Sequence, residues 1–219
     1  MRVAPLACLC VVALALGEDE FVNRGQGFRI QRPAKGWTQG EVPAPDQSRY
    51  AFKLWRSDVK DEVSVTVYVC DLSGIPDAAT ACTLAEGRFD SLREASHVRR
   101  GSDRLADADA PFLRMRYTVG EAVYGLRQHY LVANDSLYIV QSLAPVDAFG
   151  QEPFDEVLST FAIVPLADPE GRKREAAARA LVARCGSEVD WAKDWKEASL
   201  RARREGRLVV VVVELYRGF

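Results

Sequence analysis

The chain is short of most groups that mark chemistry. Its 29 basic and 31 acidic side chains leave a formal charge of -2, so there is no excess of one sign of the kind that draws a protein to nucleic acid or to an anionic membrane. Only two histidines occur, His97 and His129, in different segments and without a second His, Cys or carboxylate at metal-ligand spacing. No metal site is expected from such a pattern. There is no Gly-x-Ser-x-Gly, no glycine-rich loop ending in Lys-Ser/Thr and no His-Glu-x-x-His, so a nucleophile elbow, a phosphate cradle and a zinc-protease helix have no residues to rest on. Asp107-Ala108-Asp109 pairs two carboxylates, but it lies beside a proline and lacks the further ligands of a calcium loop. It reads as a solvated turn. No catalytic group and no cofactor is expected.

Long apolar runs are also missing. The run Val3 to Leu16, interrupted by Pro5, follows a single Arg2 and ends in Ala15-Leu16-Gly17 before Glu18-Asp19-Glu20. It is shorter than the roughly 20 apolar residues of a spanning helix and has the form of a cleavable export signal over residues 1–17. The expected destination is periplasmic or extracellular, with no stable membrane span after cleavage. Cysteine is scarce beyond this leader. Cys8 and Cys10 leave with it, and Cys70, Cys82 and Cys185 remain in a compartment where disulfides persist. Three thiols cannot all pair within one chain. A local Cys70–Cys82 bridge and two separately buried thiols are both open readings, and Cys185 stands alone.

What is present is a globular composition, 48% hydrophobic and 27% charged over 219 residues, enough for one or two domains. Gly27 to Gln31 alternates before Pro33, Gly36 and Trp37, as a short strand meeting a turn with an aromatic plug. A loop punctuated by Pro and Asp follows. Tyr50 to Trp55 alternates, and Val63, Val65, Val67 and Val69 share one face of an extended segment. Asp77 is placed to cap a helix whose apolar positions Ala81, Leu84, Ala85, Phe89 and Leu92 recur until Ala95. Three strands then follow, marked by Leu113, Met115, Tyr117 and Val119, by Leu126, Tyr130 and Val132, and by Leu137, Ile139 and Leu143. Gly120-Glu121 and Asn134-Asp135 are the turns between them, which implies an antiparallel meander. Asn134-Asp135-Ser136 matches a glycosylation sequon as well as ordinary turn chemistry. Residues 153–160 form an amphipathic helix with Phe154, Val157, Leu158 and Phe161 on one side. The expected fold is α+β, a central antiparallel sheet flanked by helices, with a helical linker over 167–189.

The residues Gly27-Phe28-Arg29-Ile30, Pro33 and Gly36-Trp37, the strand pairs with a helix between them, the tyrosine-bearing meander and the closing helix before Ser159-Thr160-Phe161 resemble the PsbP-like fold over about 21–165. The resemblance implies an α/β/α sandwich domain spanning 18–166 that acts as a non-catalytic accessory or partner-binding module. Residues 190–219 resemble the first helix and first strand of a thioredoxin-like domain: Trp191, Trp195, Ala198 and Ala202 on one helical face, Arg203-Arg204-Glu205-Gly206-Arg207 as its stop, then the apolar run Leu208 to Val213. The family's Cys-x-x-Cys does not follow in Glu214 to Phe219, so no redox residue carries over and the domain reads as incomplete. A strand apolar on both faces belongs inside a covered sheet, and joining an exposed edge of the first domain would be the alternative. The second functional reading is accordingly the N-terminal part of a thiol-disulfide oxidoreductase or redox-linked folding factor.

One cluster remains. Arg114 and Arg116 alternate with the apolar residues of their strand, and a hairpin at Gly120 would bring Arg127 and His129 to the same outer face. This basic face is the candidate binding site, for an unknown protein or a small anionic ligand. The competing reading is a solvated sheet face balanced by nearby carboxylates. His129, between Gln128 and Tyr130, is expected to face solvent rather than act as a ligand or base.

Overall fold

The structure, a computed structural model, describes residues 19–33, 36–45, 48–72, 74–175 and 177. The expected leader with Cys8 and Cys10, Cys185, most of the linker and the thioredoxin-like segment 190–219 lie outside the described residues. The chain divides into two units, Met1–Lys173 and Arg174–Phe219, and every described strand lies in the first.

Among the described residues, ten strands and two helices succeed one another in chain order: β1 (Glu20–Asn23), β2 (Phe28–Gln31), β3 (Trp37–Glu41), β4 (Tyr50–Arg56), β5 (Ser64–Asp71), α1 (Ala78–Asp90), β6 (Ala95–Leu105), β7 (Ala108–Val119), β8 (Ala122–Ala133), β9 (Ser136–Pro145), α2 (Phe154–Thr160) and β10 (Ala162–Ile163). A further helix, α3, opens at 169 and is described over 169–175. Seven strands form one sheet in the order β3-β4-β5-β9-β8-β7-β6, and β1-β2-β10 form a second. Every pairing is antiparallel.

This order explains the helix. Alternation across β5, β9, β8, β7 and β6 leaves β5 and β6 pointing the same way, so the chain cannot turn tightly between them and must cross a face of the sheet. α1 is that crossover. Asp77 caps it by accepting from the Thr80 backbone N–H at 2.7 Å, and this bond holds the Asp77 carboxyl below its usual range. Ala81 and Cys82 bury its inner side against Leu113, Met115, Leu126, Tyr130 and Leu137. The helix stops at Asp90, short of the expected Ala95. Ala95 instead opens β6, a strand absent from the sequence reading because its alternation is masked by arginines and by a bulge between Ser96 and Arg99. The meander therefore has four strands rather than three.

The opposite face carries the larger core. Val65, Val67 and Val69 are fully buried, each contributing about 1.5–3 kcal/mol of burial. They lie in one cluster with Phe52 and Leu54 of β4, Tyr138 and Val140 of β9, Phe28 and Ile30 of β2, and Phe154, Val157 and Leu158 of α2. Phe21 of β1 stacks on Phe52 with ring centroids 3.8 Å apart. This face is thus covered by a small sheet together with α2, where helices alone were expected. β3 also falls inside the segment read as loop, with Trp37 in the core.

The turns match their residues. Asn134 and Asp135 both adopt left-handed backbone, φ 50 and 52, between β8 and β9, and Ala106 and Asp107 do the same, φ 52 and 62, between β6 and β7. Two consecutive left-handed residues make the hairpin turn whose twist suits antiparallel strands. Asp107 is therefore a turn residue as expected, while Asp109 belongs to β7. Gly27 is constrained further: at φ +79 its missing Cβ would lie 2.5 Å from Asn134 Nδ2 and 2.9 Å from the Tyr138 hydroxyl. That close approach lets Asn134 donate to the Val164 carbonyl at 3.1 Å and Tyr138 donate to the Gln26 carbonyl at 2.7 Å. The Asn134 amide is thus engaged in tying the two sheets together.

Candidate functional site

Register decides which side chains meet. Paired residues of an antiparallel ladder project from the same face. Arg99 of β6 pairs with Arg114 of β7, Arg114 with Arg127 of β8, and Arg127 with Ser142 of β9. Three arginines therefore stand side by side across three strands. Arg116 lies two residues beyond Arg114 on the same face, opposite Gly125. His129 lies two residues beyond Arg127, opposite Phe112. The structure thus brings Arg114, Arg116, Arg127 and His129 to one face and adds Arg99, which sequence reasoning missed along with its strand.

The row passes from solvent into the core. Arg99, Arg114 and Arg116 are exposed, and among the described residues none has a hydrogen bond or ion pair. Arg114 places its guanidinium 5.6 Å from the centre of the Phe149 ring, a cation–π contact. Arg127 is 15% exposed and pairs through Nη2 with Asp155 of α2, whose side chain is 85% exposed. His129 is 1% exposed, which corrects the expectation that it faces solvent. Phe149 lies close over Gly125 of β8, Asp155 in the first turn of α2 reaches Arg127, and the Phe112 ring packs 5.4 Å from the imidazole. Burial, reinforced by the Arg127 cation, pulls the His129 pKa down to about 4, so the imidazole is neutral near pH 7.

Among the described residues, three buried side-chain atoms in this corner have no hydrogen-bond partner: Arg127 Nε, His129 Nδ1 and Ser142 Oγ. They belong to neighbouring register positions. A buried donor or acceptor without a partner costs about 1–3 kcal/mol, and the directly opposed like charges outside add to the cost. At the far end of the same face, Val123 and Val146 are 40% and 39% exposed and are linked by a backbone bond from Val146 N to Val123 O at 3.0 Å.

The two cysteines among the described residues are free thiols, both buried in the cluster beneath α1. Burial pushes the Cys70 thiol up to about 11 and raises that of Cys82, which keeps both in the weakly nucleophilic protonated form. Two open grooves, of about 390 and 490 Å³, run along β2 and share Glu20 and Arg29. Those two charges pair with each other at 3.0 Å, and Arg104 in the first groove donates to the Asp107 carbonyl at 2.7 Å; exposed Arg24 lines the second groove as a single cation, not as one of a row on adjacent strands. No helix among the described residues is long and apolar enough to cross a membrane.

No protein-family model and no curated protein matches the chain. Solved structures do. LpqN, described as involved in cell envelope biogenesis of Mycobacterium tuberculosis, aligns at 14% identity over 63% of this chain and 83% of its own, with a TM-score of 0.47. The cyanobacterial PsbP protein CyanoP of Synechocystis aligns at 16% identity over 73% of this chain and 99% of its own, with a TM-score of 0.49. A protein of Bacteroides thetaiotaomicron aligns at 12% identity over 86% of this chain and 69% of its own, with a TM-score of 0.44. These likenesses concern the course of the chain alone and carry no ligand, residue role or activity over to it.

Proposed function

We propose that the described domain is an exported, non-catalytic binding module of the PsbP-like kind, and that its arginine face receives an acidic partner. The observation that supports this reading is the cross-strand row Arg99–Arg114–Arg127 with Arg116 beside it. Only Arg127 of the four has a carboxylate partner among the described residues. Stacking like charges on adjacent strands works against folding, and such a local conflict is characteristic of sites kept for a task other than stability. The cations are all arginine, with no lysine between Lys60 and Lys173. Arginine's planar fork suits bidentate capture of oxyanions.

The test is fluorescence anisotropy with a labelled hexaglutamate peptide at 50 and 200 mM NaCl. The wild-type domain binds and weakens with salt, because part of the attraction is long-range and screened. Replacing Arg114, Arg116 and Arg127 together with Ser lowers affinity by at least about tenfold, as three lost charge-assisted contacts require. Equal affinity of the triple variant and the wild type overturns the reading.

A further inference from the structure

Among the described residues, Arg127 is the only member of the row with a carboxylate, and the way it holds that carboxylate is incomplete. A guanidinium offers Nε–H and Nη2–H along one edge, the pair that grips both oxygens of a carboxylate at once. Here Nη2 bonds one oxygen of Asp155, Oδ1, while Nε has no partner. Beside it, the Ser142 hydroxyl is fully buried and likewise unpartnered, and His129 Nδ1 is in the same condition. Asp155 reaches in from an exposed position on a seven-residue helix. Among the described residues its side chain makes this one hydrogen bond.

We infer that Asp155 is a displaceable stand-in for an acidic side chain of the partner, and that the incoming carboxylate takes Arg127 through both Nε and Nη2. This rests on the reading of the arginine face as a binding surface. The stand-in also names the chemistry of the ligand. A carboxylate already occupies the innermost position, and Arg114, Arg99 and Arg116 continue outward from it without acids of their own. Arg114 and Arg116 are two residues apart on a strand, a spacing of about 7 Å, which an extended peptide matches with acidic residues at alternate positions. The exposed Val123 and Val146 at the end of the same face suit a protein segment, which brings apolar side chains along with its acids, better than a free inorganic anion. The occupant is an extended acidic segment of a partner protein.

Displacement has a consequence that simple attraction lacks. The wild-type chain must give up the Asp155 contact before it grips the ligand, so its apparent affinity is lowered by that competition. An ion pair whose carboxylate is 85% exposed is largely screened by solvent and lowers affinity by up to about fivefold. Asp155→Asn, a near-isosteric change at an exposed position, therefore tightens binding of the labelled hexaglutamate by about two- to fivefold. Arg127→Lys keeps the charge but loses the fork, and it abolishes the gain when combined with Asp155→Asn. Glu156→Asn, which removes the neighbouring exposed charge of α2 without touching Arg127, serves as the control for general electrostatics. Thermal melts establish that all four proteins are folded.

A gain from Asp155→Asn that Glu156→Asn does not reproduce, and that needs Arg127, bears the inference out. Equal gains from both aspartate and glutamate variants, or no gain at all while the wild type binds, overturn it and leave the arginine face standing. Absence of hexaglutamate binding by every variant, including Asp155→Asn, removes both. Saturation of the site by inorganic phosphate as effectively as by the peptide overturns the assignment of a peptide ligand.

Discussion

The cost of the arginine row is open to direct measurement through Arg99. It sits on the edge strand β6, is exposed, and has no hydrogen bond or ion pair among the described residues, while Arg114 stands opposite it. Replacing Arg99 with Thr removes one like-charge pair and installs a residue suited to a strand. Two unit charges about 6 Å apart in a water-like dielectric repel by about 0.7 kcal/mol. Stability should therefore rise by about 0.3–1 kcal/mol, within the range of about 0.2–1 kcal/mol found for cross-strand pairs. In a domain of about 150 residues that is a gain of about 1–3 °C in Tm. Calorimetry at low salt measures it, and repetition in 1 M salt, where the screening length shrinks to about 3 Å, should remove most of it. Arg99→Thr in an Arg114→Thr background should yield a smaller gain, because the pair is already broken. A loss of stability at low salt, or a gain that salt leaves untouched, would refute the argument that the row is electrostatically strained.

Gly27→Ala forces a Cβ against Asn134 and Tyr138 at φ +79, and should cost about 2–4 kcal/mol through backbone strain and the two disturbed hydrogen bonds, read as a lower urea midpoint. His129 has a folded-state pKa near 4 against an ordinary value of about 6.5. The unfolded chain therefore binds the extra proton first, and the contribution of this group to stability is present above pH 6.5 and lost as pH falls toward 4. The loss amounts to about 3 kcal/mol at most. His129→Gln should flatten the stability profile between pH 4 and 6.5 relative to wild type in matched urea titrations, and parallel profiles would contradict this. Cys70 and Cys82, buried with raised thiol pKa values, should resist alkylation in the native protein at pH 8 and react on unfolding, as peptide mapping by mass spectrometry shows. Alkylation of either in the native state would contradict their burial.

Periodicity made the central strands and the helices α1 and α2 legible because each has one plainly apolar side. The valines of β5, the Asp77 cap and the inner residues of α2 follow from local pattern alone. β6 was hidden for the opposite reason. An edge strand with arginines on both faces and a bulge at its start has no face that the core selects, and losing it concealed Arg99. The second sheet was equally hidden, since β1 and β10 have four and two residues, too few to show a period.

By itself the amino-acid order determined the local elements, the hairpin turns and the fact that Arg114, Arg116, Arg127 and His129 share a face, because alternation and turn chemistry depend only on near neighbours in the chain. Tertiary structure decided what that face is. Burial, charge partners and unpartnered atoms depend on groups far apart in sequence: the Phe112 ring of β7 packs against His129, α2 brings Asp155 to Arg127, and β6 returning across the sheet through α1 sets Arg99 opposite Arg114. No local pattern records those encounters, since each is fixed by the closing of a loop and the packing that rewards it.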